Sequence, residues 1–178
     1  MILALCAVEA EGGLSRAALE TLAAGRSLAE DFGGPVWAAV FGPGAEEEGA
    51  RLASHGAEVV LAVDEERLRG VEADTVLAAA LSLVREFEPA ALLCPHDDLW
   101  GGNVAPRLAY RLGTGAVTDC TGFEVREGRV RWLRPVYGGK AMAYAVVKGG
   151  PPVATVRSRA FDPLPADPAR RGEVRAWQ

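Results

Sequence analysis

Cysteine is scarce in this chain of 178 residues, which has only Cys6, Cys94 and Cys120. No two of them form a Cys-x-x-Cys pair, which excludes a zinc knuckle and a thioredoxin-type redox motif. An odd, unpaired set suits a reducing compartment, so a cytoplasmic location is expected. Histidine is scarcer still, with His55 and His96 alone. The sequence has no Walker A segment and no Gly-x-Gly-x-x-Gly, so both of those phosphate-binding signatures are missing. It has no Gly-x-Ser-x-Gly, and Thr155 and Ser158 have no base nearby, which argues against a serine hydrolase. No apolar run approaches the ~20 residues of a membrane span. The opening Met1–Val8 has no basic region, and Leu5 before Cys6 is not the small residue that processing favours, so it reads as a strand and not as a leader. Net charge is −5, and no basic stripe of the kind that nucleic-acid binding needs is present.

The charge that is present is unevenly spread. Residues 1–120 carry a net −11 and residues 121–178 a net +6. Such polarity fits solvated faces, or a basic part that docks an acidic partner or an anionic cofactor.

Ile2–Val8 is a continuous apolar run, as expected of a strand buried on both faces. Ser15 can cap the following helix, which Gly33-Gly34 and Pro35 end. Val36–Phe41 and Glu58–Val63 are further strands, with a short helix over residues 45–54 between them. His55 sits where it can cap that helix's last carbonyls. Asp74–Phe87 places Val76, Leu77, Ala80, Leu81, Val84 and Phe87 on one helical face. Leu92–Pro95 is a fourth strand. A helix over Asn103–Leu112 follows, with Asn103 as its N-cap, Pro106 tolerated in the first turn and Gly113 as its stop. Ala116–Thr121 is a fifth strand. The alternation predicts an α/β fold: an open, mainly parallel five-stranded sheet with helices on both faces.

After Thr121 the pattern changes. Phe123–Val125, Val130–Leu133, Ala141–Val147 and Val153–Val156 are strands without intervening helices. Glu127-Gly128-Arg129 and Lys148-Gly149-Gly150 read as hairpin turns, giving a C-terminal antiparallel extension. Residues 163–178 have no apolar period and read as a tail or linker.

Ligands of open parallel sheets sit beyond the carboxyl ends of the strands. That singles out the loops after the first and fourth strands, with Gly12, Gly13, Gly101, Gly102 and Asn103 as candidate cofactor-binding positions. The same loops carry Glu9, Glu11, Asp97 and Asp98. Two like charges at 4 Å repel by about 4 kcal/mol at a near-surface dielectric, so this crevice is poorly suited to a phosphate. His96-Asp97-Asp98 reads as a polar loop with local backbone hydrogen bonds rather than a metal site. Trp100 reads as a lid or an interface residue.

Four segments in order carry a resemblance. They are Gly101-Gly102-Asn103-Val104-Ala105-Pro106-Arg107-Leu108-Ala109 with Arg111-Leu112-Gly113; Thr118-Asp119; Arg134-Pro135-Val136-Tyr137-Gly138-Gly139-Lys140-Ala141; and Thr155-Val156-Arg157 with Ala160-Phe161. Together they resemble the N-terminal domain of the electron-transfer flavoprotein alpha subunit over residues 1–162. The resemblance implies an adenine-nucleotide alpha-hydrolase-like fold. It also implies a scaffold role in flavin-mediated electron transfer without catalytic residues, and a heterodimer with the beta subunit. FAD is then expected in the complete complex but not on this chain alone, AMP only in the beta subunit, and dehydrogenases as redox partners. The flavin domain would be a separate or missing segment, with residues 163–178 as the start of a linker. On that basis Arg134, Tyr137, Gly138, Gly139, Lys140, Arg157 and Phe161 are expected to form the interface edge. The competing expectation is a free-standing adenine-nucleotide-binding module of the same fold, using the loops after strands one and four.

Overall fold

The structure, a computed structural model, describes residues 1–69 and 72–178. Its centre is a seven-stranded sheet in the order β10-β3-β2-β1-β4-β9-β5. The strands are β1 (Ile2–Ala7), β2 (Val36–Phe41), β3 (Val59–Val63), β4 (Ala91–Pro95), β5 (Ala116–Cys120), β9 (Val153–Val156) and β10 (Glu173–Ala176). All of its pairings are parallel. β1 to β4 and β9 are buried almost throughout, because helices cover both faces and leave no solvent side for polar residues to point to.

Helices α1 (Arg16–Phe32) and α2 (Ala45–Ser54) pack on one face, and α3 (Ala73–Phe87) and α4 (Ala105–Leu112) on the other. The Ser15 hydroxyl accepts the Ala18 N–H at 3.1 Å, which caps α1, and Gly33 at φ 69° closes it. Gly25 lets α1 lie close on the sheet: a Cβ there would stand 3.2 Å from the Val36 side chain. A second sheet, β6 (Gly122–Arg126), β7 (Arg129–Val136) and β8 (Ala141–Ala145), is antiparallel. Its inner face presents Phe123, Trp132 and Ala145 to the cluster under α1.

The α/β class, the parallel sheet and the antiparallel extension are as the sequence indicates, but the main sheet has seven strands, not five. Val153–Val156 does not continue the extension, and residues 148–150 are no hairpin. β9 crosses into the main sheet and lies between β4 and β5. Its four residues are all buried, whereas every residue of β8 is half-buried or exposed.

Residues 163–178 do not form a free tail. β10 lies parallel to β3 at the sheet edge, and the preceding segment is tied down on the way. His55 is the C-cap of α2, its backbone N–H donating to Arg51 O at 3.1 Å, while its ring Nδ1 donates to the Leu164 carbonyl at 2.6 Å and holds this segment. Asp167 N donates to Ser54 O at 3.0 Å, and Trp177 Nε1 donates to Glu86 at 2.9 Å. β10 is exposed along its length, which explains why no apolar period marks it.

Candidate functional site

Strand order reverses between β1 and β4, which makes their carboxyl ends the natural crevice. There the structure has a cavity of about 90 Å³ lined by Val8, Glu9, Ser15, Pro95, Asp97 and Trp100, among others. Trp100 fills the floor: it is 1% exposed and its ring lies 6.0 Å from Phe41. It is therefore a core residue and not a lid or an interface anchor. Asp97 accepts the Trp100 N–H at 2.7 Å. Burial, and then Asp98, push its carboxyl above the ordinary range.

The glycines and the asparagine of these loops serve the protein itself. Gly12 and Gly13, at φ 89° and 84°, form the turn in which Glu9 N donates to Gly13 O. At Gly101 a Cβ would stand 2.5 Å from His96 Nδ1, so this glycine makes room for the imidazole. Gly102 N donates to Asp97 O at 3.0 Å. A wide π turn over Trp100–Val104 precedes α4 and makes Val104 its N-cap. Asn103 therefore falls outside the cap position, and its side-chain Oδ1 accepts from Arg107 Nη1 at 2.7 Å. A nucleotide or flavin site typically offers ~300–1,000 Å³ with converging donors. The crevice, small and bordered by carboxylates, does not fit FAD or AMP.

A second site forms around the end of β9. Thr155 is fully buried. Its hydroxyl oxygen lies 2.9 Å from Asp119 N, which donates to it, and 2.9 Å from His96 Nδ1. Asp119 stands at φ 66°, next to a shift in the β5–β9 register, an irregularity that re-aims a side chain at a sheet edge. Its carboxylate takes the Arg157 fork, Nε at 2.7 Å and Nη2 at 2.6 Å. That hydrogen-bonded guanidinium holds Asp119 below the ordinary carboxylate range, against the opposing pull of burial. His96 Nε2 is 3.8 Å from the same Asp119 Oδ1 that Arg157 Nε contacts.

Beyond this pair opens a groove of about 400 Å³, lined by Asp119, Arg134, Pro135, Val136, Tyr137, Gly138, Gly139 and Arg157. Its wall is the β7–β8 turn, where Tyr137, Gly138 and Gly139 all have positive φ, at 52°, 65° and 85°. Glycine takes this backbone without penalty, but tyrosine is strained there. The ring is held out in solvent, 82% exposed. Arg134 Nε is buried with no hydrogen-bond partner among the described residues.

Five of the residues expected at the interface, Arg134, Tyr137, Gly138, Gly139 and Arg157, thus line one groove. Lys140 follows in the same turn, exposed. Phe161 turns inward and stacks on Phe123, with centroids 6.0 Å apart and planes at 15°, so its part is to hold the loop after β9 against the small sheet.

The sequence reading did not single out Glu20, which holds the same loop from the other side. Glu20 is 1% exposed. It accepts Arg159 N at 2.8 Å and Arg16 Nε at 2.7 Å. Burial alone would raise its carboxyl, but the Arg159 N–H, Arg16 and the Ser158 side chain outweigh it and the net shift is downward. Its local signals are apolar neighbours at helical spacing and the i, i+4 pair with Arg16; its partner in the loop, Arg159, lies 139 positions away in the chain.

The family model for the electron transfer flavoprotein domain matches residues 2–178. The chain is 35% identical over 166 residues to the electron transfer flavoprotein subunit alpha of Clostridium acetobutylicum, covering 92% of this chain and 49% of that one. It is also 35% identical over 167 residues to the protein FixB of Clostridium saccharobutylicum, with the same shares covered. Subunit LctC of the lactate dehydrogenase (NAD(+),ferredoxin) of Acetobacterium woodii is 29% identical over 153 residues, covering 85% of this chain and 36% of that one. The chain thus spans about half the length of the first two relatives.

Proposed function

The chain belongs to the electron transfer flavoprotein domain family and is of the alpha-subunit type, and from that premise we propose that it is the docking scaffold of a flavin-mediated electron relay. In this reading it carries no catalytic residues. It pairs with a beta-subunit-type chain and positions a flavin domain supplied by another segment or chain, so that electrons pass between that flavin and a partner dehydrogenase. FAD belongs to the complete assembly, and AMP to the beta subunit. The A. woodii relative, a subunit of a lactate dehydrogenase by name, suggests the class of redox partner. Among the described residues no helix is long and apolar enough to cross a membrane.

One observation carries the reading. Residues from β5, β7, the β7–β8 turn and the loop after β9 converge on a single groove with an exposed Tyr137 and an arginine whose Nε has no partner among the described residues. Exposed tyrosine and arginine side chains are enriched where proteins recognise proteins. Above the groove the outer face of the small sheet adds Met142 and Tyr144, about half exposed, with the Arg131 guanidinium 4.6 Å over the Tyr144 ring. The crevice between β1 and β4, by contrast, is small and bordered by the Glu9 and Asp97 carboxylates.

The test is co-expression with a beta-subunit-type chain and a separate flavin domain. A yellow complex that co-elutes in gel filtration is the expected result. Micromolar binding of AMP or FAD by this chain alone would overturn the scaffold reading in favour of a free-standing nucleotide-binding module.

A further inference from the structure

The groove contains an arrangement that docking by itself does not call for: one carboxylate is faced by two basic side chains. Arg157 Nε and His96 Nε2 both address Asp119 Oδ1, at 2.7 and 3.8 Å. The imidazole is fixed from behind by Thr155 Oγ1, 2.9 Å from Nδ1. It is pressed from the side by Gly101, where no Cβ would fit. It therefore cannot swing away from Asp119 without leaving its anchor. The histidine side chain is 36% exposed and Asp119 20%, so solvent protons reach the ring while the carboxylate stays partly desolvated.

We propose that His96 is a proton-operated modulator of the groove: on protonation it draws the Asp119 carboxylate toward itself and loosens the Arg157 fork. The consequence for docking rests on the scaffold reading above, but the switch itself does not.

In the neutral ring the Thr155 hydroxyl, which already accepts the Asp119 N–H, donates to His96 Nδ1, and Nε2 carries the hydrogen facing Asp119. A proton taken from solvent adds at Nδ1. The Nδ1–H then donates to the Thr155 oxygen, which turns its own hydrogen away, and the ring gains a full positive charge 3.8 Å from Oδ1. The charges around the ring are of both signs. The carboxylates are Asp119 on β5 and Asp97 and Asp98 on its own loop, and the guanidinium groups are Arg157 after β9 and Arg134 on β7. The thiols on the neighbouring strands remain protonated and neutral, Cys120 pushed by burial to about 12 and Cys94 well above its ordinary value by burial.

With the ring neutral, Asp119, Arg134 and Arg157 together carry one net positive charge, and protonation makes it two. The groove then presents a freer arginine and a stronger positive field, and an anionic partner surface docks more tightly as pH falls through the range in which a histidine changes charge.

Proton-detected ¹⁵N NMR of the whole chain between pH 5 and 8 tests the switch without any partner. The reporters are the Arg157 Nε–H and the Asp119 amide, with His55 as an internal control ring. Both reporter resonances are expected to move with the midpoint of the His96 ring. That movement is expected to vanish in His96→Asn and to persist in His55→Asn. Reporter resonances that stay flat while His96 titrates, or that move equally in His96→Asn, would overturn the proposal. A failed switch leaves the scaffold reading intact. A failed co-elution would remove the docking consequence and leave a measured switch standing.

Discussion

Glu20 offers the sharpest test of how the groove is held in shape. The loop after β9 carries Arg157, and it is fastened by Phe161 on Phe123 and by Arg159 N on the Glu20 carboxylate. Glu20→Ala leaves that N–H without its acceptor and Arg16 without its pair, and opens a small void beneath α1. An unsatisfied buried donor costs ~1–3 kcal/mol, and breaking a buried pair reaches ~3–5 kcal/mol. Arg16 is largely exposed, so its share is screened, and roughly 2–3 kcal/mol is the reasoned total. At ~2–4 °C per kcal/mol for a chain of this size, the melting temperature falls by roughly 4–12 °C.

Glu20→Gln separates charge from shape, because the amide oxygen still accepts Arg159 N–H. The folded-state shift of Glu20 is downward. Its contribution to stability is therefore fully present above the unfolded carboxylate value near 4.3 and is lost as pH falls through the lower folded value. Thermal unfolding followed by circular dichroism between pH 3 and 7 is the assay. Wild type should lose its advantage over Glu20→Gln progressively below about pH 4.3. Hydrogen exchange should show the Arg159 amide opening in Glu20→Ala. A Glu20→Ala protein within about 0.5 kcal/mol of wild type, the usual range for a surface change, would refute the clamp. So would an acid limb that Glu20→Gln shares with wild type.

Other outcomes follow from single contacts. Gly101→Ala drives a Cβ to within 2.5 Å of His96 Nδ1 and 3.3 Å of His96 Cα. It should cost ~1–3 kcal/mol by overpacking and abolish the coupling between His96 and the Asp119 amide, as read by denaturant melts and NMR. Gly172→Ala would set a Cβ 2.2 Å from Ala57 O, so β10 should detach and the Glu173 and Trp177 amides, bonded to Glu58 and Ala62, should lose exchange protection while α1 keeps its own. Phe123→Ala removes the ring that stands between Trp132 and Phe161. A loss of ~2–4 kcal/mol is expected for this half-buried ring, at or below the range for a fully buried one, with faster exchange in β6 and β7.

The parts of the fold that could be read from the sequence are those where one periodicity dominates. β1, β2 and β4 are uninterrupted apolar runs, and α3 is a clean amphipathic helix, so the parallel core follows from them directly. β9 is not placed by its sequence, because a strand of four residues after a Gly-Gly loop looks the same whether it returns to its neighbour or crosses to another sheet. Its unbroken Val-Ala-Thr-Val character was the available clue. β10 lies at an edge, exposed on every residue, and leaves no apolar period to detect.

The groove was only partly visible. Arg134, Tyr137, Gly138, Gly139 and Arg157 stood out as segments, but that they face one another depends on β9 lying beside β5. Asp119 meets Arg157 across 38 positions and His96 meets Thr155 across 59, and neither spacing has a local signature. At the acidic loops the structure adds a feature with no local signature, the Trp100 side chain buried beneath the crevice beside Phe41.

The central claim, that this chain acts by docking through the groove, is tested most directly by the dissociation constant of its complex with a beta-subunit-type chain. Arg134→Ala and Tyr137→Ala should each weaken it at least tenfold, a loss of about 1.4 kcal/mol. Arg85→Ala, on α3 across the sheet, should leave it unchanged. Equal affinity for all three variants and wild type would contradict the account.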